Sequence, residues 1–402
     1  MPPQVSAAGP TQSDAIAPVT SSPGHASRRY DLDWLRVIAI LLLLFYHCGM
    51  AFVAEWGWHI KNADTSNIFQ EWMYFLSRWR MALLFFISGA GTWFVLKRAS
   101  AGQYVWRRVL RLLIPLVFGM FVIVPPQIYM ERLTQGIPYS SYLDFYPSVF
   151  EFRPYPKGNF SWHHLWFIAY LFIFSVIGVP IFLFLRGETG QALVRRIAAS
   201  LNAPLLYAFG LAPAILYAGL ILRFPGPQDL VHDWAWFLVY FTYFVYGFLF
   251  TLNERFTNLL EHHRQTSLRL ACLCYVTLCY FRWNDKEPAW NYSAPALLYL
   301  GLVALNSWFW VLTILGYGRH YLNRAGKLLN YCNEGIYPFY VLHQTVIVVL
   351  VFYVVQTSDT ILTKFLFLSA ASFVVTLALY HFLVRPFAVT RFLFGMKSRG
   401  PD

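Results

Sequence analysis

Apolar stretches about 20 residues long recur along nearly the whole of this 402-residue sequence. A helix of that length rises about 30 Å and so matches the hydrocarbon core of a bilayer. With 58% hydrophobic and only 12% charged residues, and a mean hydropathy of +0.47, no soluble domain fits between the stretches. The bilayer is the solvent. Lipid offers no partner to a free backbone N–H or C=O, so apolar segments of this kind cross it as helices. Apolar length and flanking charge, Pro or Gly mark ten spans near 33–54, 72–97, 109–130, 163–185, 204–222, 232–252, 268–281, 294–316, 336–355 and 361–384. The seventh is the shortest. The expected fold is an all-α polytopic membrane protein of about ten transmembrane helices, with no visible internal repeat of the kind many transporters carry.

The net charge of +12 is a matter of topology. Cytoplasmic loops collect Lys and Arg. With the N-terminus inside, the inside segments carry twenty of the 31 Lys and Arg and the outside segments eight, while Arg36, Arg78 and Arg80 fall within spans. Ten spans with both termini cytoplasmic is therefore self-consistent. No basic helix or RNA-binding signature accompanies the charge, so no nucleic-acid partner is expected. Residues 1–28 are rich in Pro, Ser and Ala, lack an apolar signal segment and read as a disordered tail. Residues 29–390 form the membrane domain, and 391–402 a short cytoplasmic tail. The five cysteines show neither metal-ligand spacing nor a secreted framework pattern.

Ionisable residues inside apolar spans are expensive and usually face a wet cavity or the protein interior. The first span, DLDWLRVIAILLLLFYHCGMAF, is interrupted by Asp33, Arg36 and His47. Arg36 and His47 are eleven residues apart, which returns to within about 20° of one helical face and rises about 16 Å. That stripe suits a long ligand, with Arg36 meeting an anionic group and His47 acting as a base. Imidazole titrates near neutral pH and can take a hydroxyl proton, although a structural hydrogen bond between helices is the plainer alternative. Asp33 can pair with Arg36 one turn away.

The second span carries Arg78 and Arg80, then SGAG, whose small residues permit close helix packing. Arg80 has no acidic residue one turn away and can bind a carboxylate. Arg107, Arg108 and Arg111 open the third span, where Arg108 and Arg111 share a face and can clamp phosphates, if they do not simply mark the cytoplasmic side. His163, His164 and Trp166 open the fourth span as substrate-binding candidates; the paired histidines make no zinc site without further ligands, and no metal is expected. The ninth span places His343 near Tyr337 and Tyr340. The aromatic, proline-rich connection 131–162 reads as a cap over a cavity.

The Arg-x10-His pattern of Arg36 and His47, the segments LLFFISGAG and RRVLRLLIP, HLWF at 164–167 and the late YPFYVLHQ together resemble the membrane-bound acyltransferase 3 family over about 30–390. VIA follows Arg36 where many members read GIA, a departure at a packing position. The resemblance implies an acyltransferase that moves an acyl group, succinyl or acetyl, from cytoplasmic acyl-CoA to a hydroxyl of an extracytoplasmic glycan, glucan or lipid-linked acceptor. It implies His47 as catalytic base, with Arg36 essential and, together with Arg111, binding the donor or orienting the site. Arg108, Arg111 and Asp33 then serve the donor, and Arg80, His164, Trp166, His343 and Tyr337 the acceptor or substrate. Acyl-CoA enters as co-substrate and no cofactor is held permanently. The location implied is a bacterial inner membrane, in contact with lipid. Two rivals use the same residues: a transporter or flippase of a glycan or lipid-linked substrate, whose path they would line, and a sensor without turnover.

Overall fold

The computed structural model describes residues 28–226 and 228–397. The expected disordered tail, apart from Arg28, and residues 398–402 lie outside the described residues. Among the described residues there is no strand, only isolated bridges between Val53 and Ser66 and between Pro154 and Phe160. In chain order the long helices are α1 (Tyr30–Met50), α2 (Asn67–Leu96), α3 (Ala101–Thr134), α4 (His163–Ile177), α5 (Val179–Arg186), α6 (Ala203–Leu220), α7 (Trp234–Thr251), α8 (Arg264–Trp283), α9 (Ala294–Leu322), α10 (Lys327–Val354) and α11 (Ile361–Val384).

Eight of these are long and apolar enough to cross a membrane, and α4 with α5, bent by 50°, makes nine if the pair is one span. The protein is a multi-pass membrane protein. Large apolar side chains such as Ile215, Leu273, Leu298 and Val374 stand exposed on four different helices, a distribution that suits lipid and not water. Each of the ten expected spans finds a helix, but the seventh, α8, is 20 residues long and falls short in hydropathy. Its geometry nonetheless runs from one end of the bundle to the other. Arg264 at its start donates to Glu261, which also meets Arg319 and His320, whereas Arg282 near its close pairs with Glu55 and Glu71.

The bundle has two chemically distinct ends. At the arginine-rich end Asp33 accepts from Arg28 at 3.0 Å and from Arg36 at 2.9 Å, and Arg36 also donates to Asn333 of α10 at 2.8 Å. Glu334 there receives Arg391 at 2.8 Å. The opposite, loop end is closed by residues 51–66 and 131–162. Arg132 clamps the latter loop, donating to Asn159 at 2.9 Å and to the carbonyls of Pro156 and Gly158 at 2.7 and 2.9 Å.

Two features position the site. In α2 the small residues of SGAG do permit close packing: a Cβ at Gly89 would lie 1.8 Å from the Phe244 carbonyl oxygen, and one at Gly247 of α7 would lie 1.8 Å from that of Phe86. The helices therefore meet backbone to backbone, and α2 turns its preceding residues toward the bundle interior. In α3 wide π-turns over Val109–Leu113 and Gly119–Ile123 flank Pro115, whose ring and missing N–H disallow a regular turn before it.

Candidate active site

A cavity of about 1180 Å³ opens at the loop end between α1, α2, α4, α7, α9 and α10. Its wall holds His47, Arg78, Arg80, His164 and Trp166, with Tyr46, Trp56, Trp58, Tyr155, Trp162, Trp236, Tyr240 and Gln344 around them. Pro154, Tyr155, Phe160, Ser161 and Trp162 come from the 131–162 connection, which caps the cavity as its composition suggests.

His47 lies in the last turn of α1, which ends at Met50 and not at 54, so its imidazole stands nearer the loop end than the apolar run implies. Its Nδ1 and the Nε2 of His343 are 3.0 Å apart, with the ring planes only 9° from parallel. His343 is fully buried, and its Nδ1 sits 2.5 Å from the backbone carbonyl of Tyr340. A carbonyl can only accept, so this contact fixes the tautomers in sequence. His343 carries its proton on Nδ1, its bare Nε2 accepts from His47 Nδ1–H, and the lone pair of neutral His47 is left on Nε2. No group among the described residues bonds to that nitrogen, and the residue lines the cavity.

His164 joins the same wall in a different role. Its Nε2–H donates to the Val341 carbonyl at 3.0 Å and its Nδ1 accepts from Gln127 at 3.4 Å, so both nitrogens are committed. The Tyr340 hydroxyl donates to the His164 carbonyl. His164 thus holds α4 to α10 and keeps the Tyr340 turn, and with it His343, in place.

Arg80 is only 5% exposed and lies 3.7 Å over the Tyr46 ring, yet its Nε and Nη1 find no partner. Neither it nor Arg78 forms an ion pair among the described residues, leaving a buried cation at a cavity wall beside His47. Buried charge without a counter-charge is costly, and an anionic ligand relieves it.

Arg36, Asp33, Arg108, Arg111, Tyr337 and the buried His343 do not line this cavity. Asp33 and Arg36 pair as their spacing suggests, at the arginine-rich end. Arg108 turns inward to Thr92 at 2.9 Å and lies over Tyr104, whereas Arg111 is exposed in the π-turn. The wide turn interrupts the α-helical spacing on which the shared face of Arg108 and Arg111 rests. The Tyr337 hydroxyl is buried without a partner.

Sequence reasoning misses His59, Glu131, Gln127 and Gln344. Glu131, 3% exposed at the close of α3, accepts from His59 at 2.6 Å and from the Tyr155 hydroxyl at 2.6 Å. Burial and the adjacent Glu131 carboxylate push the Tyr155 phenol above its ordinary range, so it remains a donor. The signal available was a carboxylate at the end of an apolar run, in MERLTQ.

An unshared imidazole lone pair in a cavity, set by a buried relay, equips a protein to take a proton from a hydroxyl. The family model for an acyltransferase domain, acyltransferase 3, matches residues 29–381. The chain belongs to the acyltransferase 3 family. Within it, this member is 23% identical to glucans biosynthesis protein C of Escherichia coli O81 (strain ED1a) over 333 residues, 80% of this chain and 83% of that one. The same protein of Escherichia coli K12 (DH10B) is 22% identical over the same coverage. No solved structure matches the chain.

Proposed function

We propose that the protein is an O-acyltransferase of a bacterial inner membrane, moving an acyl group from cytoplasmic acyl-CoA to a hydroxyl of an extracytoplasmic glycan or glucan. The observation that carries this reading is the Tyr340–His343–His47 relay, which leaves His47 Nε2 bare in the cavity. His47 Nε2 takes the proton of the acceptor hydroxyl as its oxygen attacks the thioester carbonyl. The tetrahedral adduct expels the CoA sulfur, which leaves with the proton that His47 carried. His343 holds the imidazolium by accepting from Nδ1 throughout.

The aromatic rim, with Trp56, Trp58, Trp162, Trp166 and Trp236, offers flat apolar faces to sugar rings. Arg80 offers a charge-assisted partner to a carboxylate on the acyl chain, which favours succinyl over acetyl. Arg36 sits about 16 Å and Asp33 about 21 Å below His47 along α1, with Arg108 and Arg111 at the same arginine-rich end, where the phosphates of CoA dock. The positive-inside rule favours that end as the cytoplasmic one, and the end-to-end course of α8 supports ten spans with both termini inside. The names of the relatives, which concern glucan biosynthesis, agree with a glucan acceptor.

The test is transfer of radiolabel from acetyl-CoA and succinyl-CoA to extracted envelope glycans by purified protein in lipid, with His47→Ala alongside. Label on glycan only with intact His47 is the expected result. If neither CoA is bound or consumed by folded protein, the same cavity is better read as a substrate path for transport.

A further inference from the structure

At the rim of the cavity three side chains converge from segments far apart in sequence, and the transfer reaction uses none of them. His59 follows α1, Glu131 closes α3 and His163 opens α4, and a ligand atom from each lies within 4.8 Å of the other two. The His59 and His163 rings stack at 4.7 Å. The hydrogen bond between His59 and Glu131 accounts for two of the three. It leaves His163 unexplained: Ser161 Oγ is 2.7 Å from Nδ1, but Nε2 is buried with no partner. His163 is also held at φ +41°, a left-handed conformation that a non-glycine residue adopts under constraint from its surroundings.

We infer that His59, Glu131 and His163 form a binding site for a divalent transition-metal ion of the zinc class. Two imidazoles and one carboxylate are a donor set that borderline ions take, and three protein ligands leave one tetrahedral position free. Ligand atoms about 2.0–2.1 Å from a tetrahedral ion lie about 3.4 Å apart, so side-chain rotations of about an ångström close the set. The outer contacts that orient metal ligands are already present. Tyr155 and Gln135 donate to Glu131 at 2.6 and 3.0 Å, and Ser161 Oγ lies 2.7 Å from His163 Nδ1.

His59 and His163 line the cavity, so the free position takes an oxygen ligand from it, a water or a carbohydrate hydroxyl. The hydroxyl rests on the proposed acceptor; the ion does not. Gln344 ties the site to the relay, because it follows His343 in α10.

The experiment uses the untagged full-length chain in lipid, stripped with chelator and titrated with Co²⁺ and then Zn²⁺, reading metal content by mass spectrometry and the visible bands of four-coordinate cobalt. The expected result is one ion per chain, binding at least tenfold weaker in E131Q and H163A and unchanged in H232A, whose imidazole is exposed. H163C keeps a ligand at the position and should restore binding with a cobalt–thiolate band, which separates loss of the site from loss of the fold. Absence of stoichiometric metal in the unaltered chain, or equal binding by E131Q and H163A, overturns the site. Neither result bears on acyl transfer, which is measured separately with the labelled CoA.

Discussion

At the scale of single residues, the proposed chemistry depends on which nitrogen of His47 is bare, and that depends on a carbonyl two links away. His343→Ala removes the acceptor for Nδ1–H and frees the ring to turn. Transfer should fall by about 10² to 10⁴, the range of a misplaced general base. His47→Ala should fall as far, and the double variant no further, because the two act as one unit. Steady-state transfer rates check this, and additive losses would separate His343 from the relay. Arg80→Gln removes a buried charge whose hydrogen bonds to a carboxylate contribute about 1.5–3 kcal/mol. The ratio of kcat/KM for succinyl-CoA over acetyl-CoA should drop by about tenfold to a hundredfold, and an unchanged ratio would strip Arg80 of that role. His47 and Arg80 were legible because charge in an apolar run is costly enough to single a residue out. The pairing of His47 with His343 was not, since it joins residues 296 apart in sequence. His59 and Glu131 escaped for a related reason: each looks like an ordinary interfacial residue until the loop folds back.

At the scale of elements, the site is held by one helix crossing and one loop. Gly247→Val places branched carbons where the Phe86 carbonyl stands 1.8 Å from a Cβ position, and backbone cannot yield as a side chain can. Overpacking of this kind costs about 1–3 kcal/mol, so thermal unfolding in detergent should shift down by several degrees, whereas Gly301→Ala, which meets nothing within 4 Å, should not shift it. Arg132→Ala deletes the three side-chain hydrogen bonds that tie the cap loop to α3. Limited proteolysis should then cut between residues 136 and 160 faster than in the unaltered chain while the helices stay protected; equal cleavage would mean that the loop's own aromatic packing suffices. The close packing through SGAG could be read from small residues alone. The π-turns could not, because α-helical spacing is the assumption under which Arg108 and Arg111 were placed on one face, and Pro115 breaks it from four residues away.

At the scale of the whole molecule, the sides of the two termini turn on the crossing of α8. Its sequence mixes Arg264, Arg269, three threonines and serines and three cysteines into the apolar run, which is why hydropathy passes it over. Yet 20 residues span about 30 Å, and the two ends engage opposite faces of the bundle, Glu261 at one and Glu55 with Glu71 at the other. Between them Leu273, Val276, Tyr280 and Trp283 form an exposed stripe, while Ala271, Cys274 and Leu278 are buried against the rest of the bundle. A helix with one face buried and one face apolar yet exposed needs lipid on the second face, whatever its average hydropathy. If α8 crosses, a reporter at residue 30 and one at residue 397 lie on the same side, and one at residue 288 lies opposite. If α8 stays on one side, residue 397 moves opposite to residue 30 and the positive-inside balance of the last three spans inverts, setting Arg319, Arg324, Lys327 and Arg385 outside. Paired topology reporters at these three positions decide it. The expected result places residues 30 and 397 in the cytoplasm, and with them the arginine-rich end where acyl-CoA is proposed to enter.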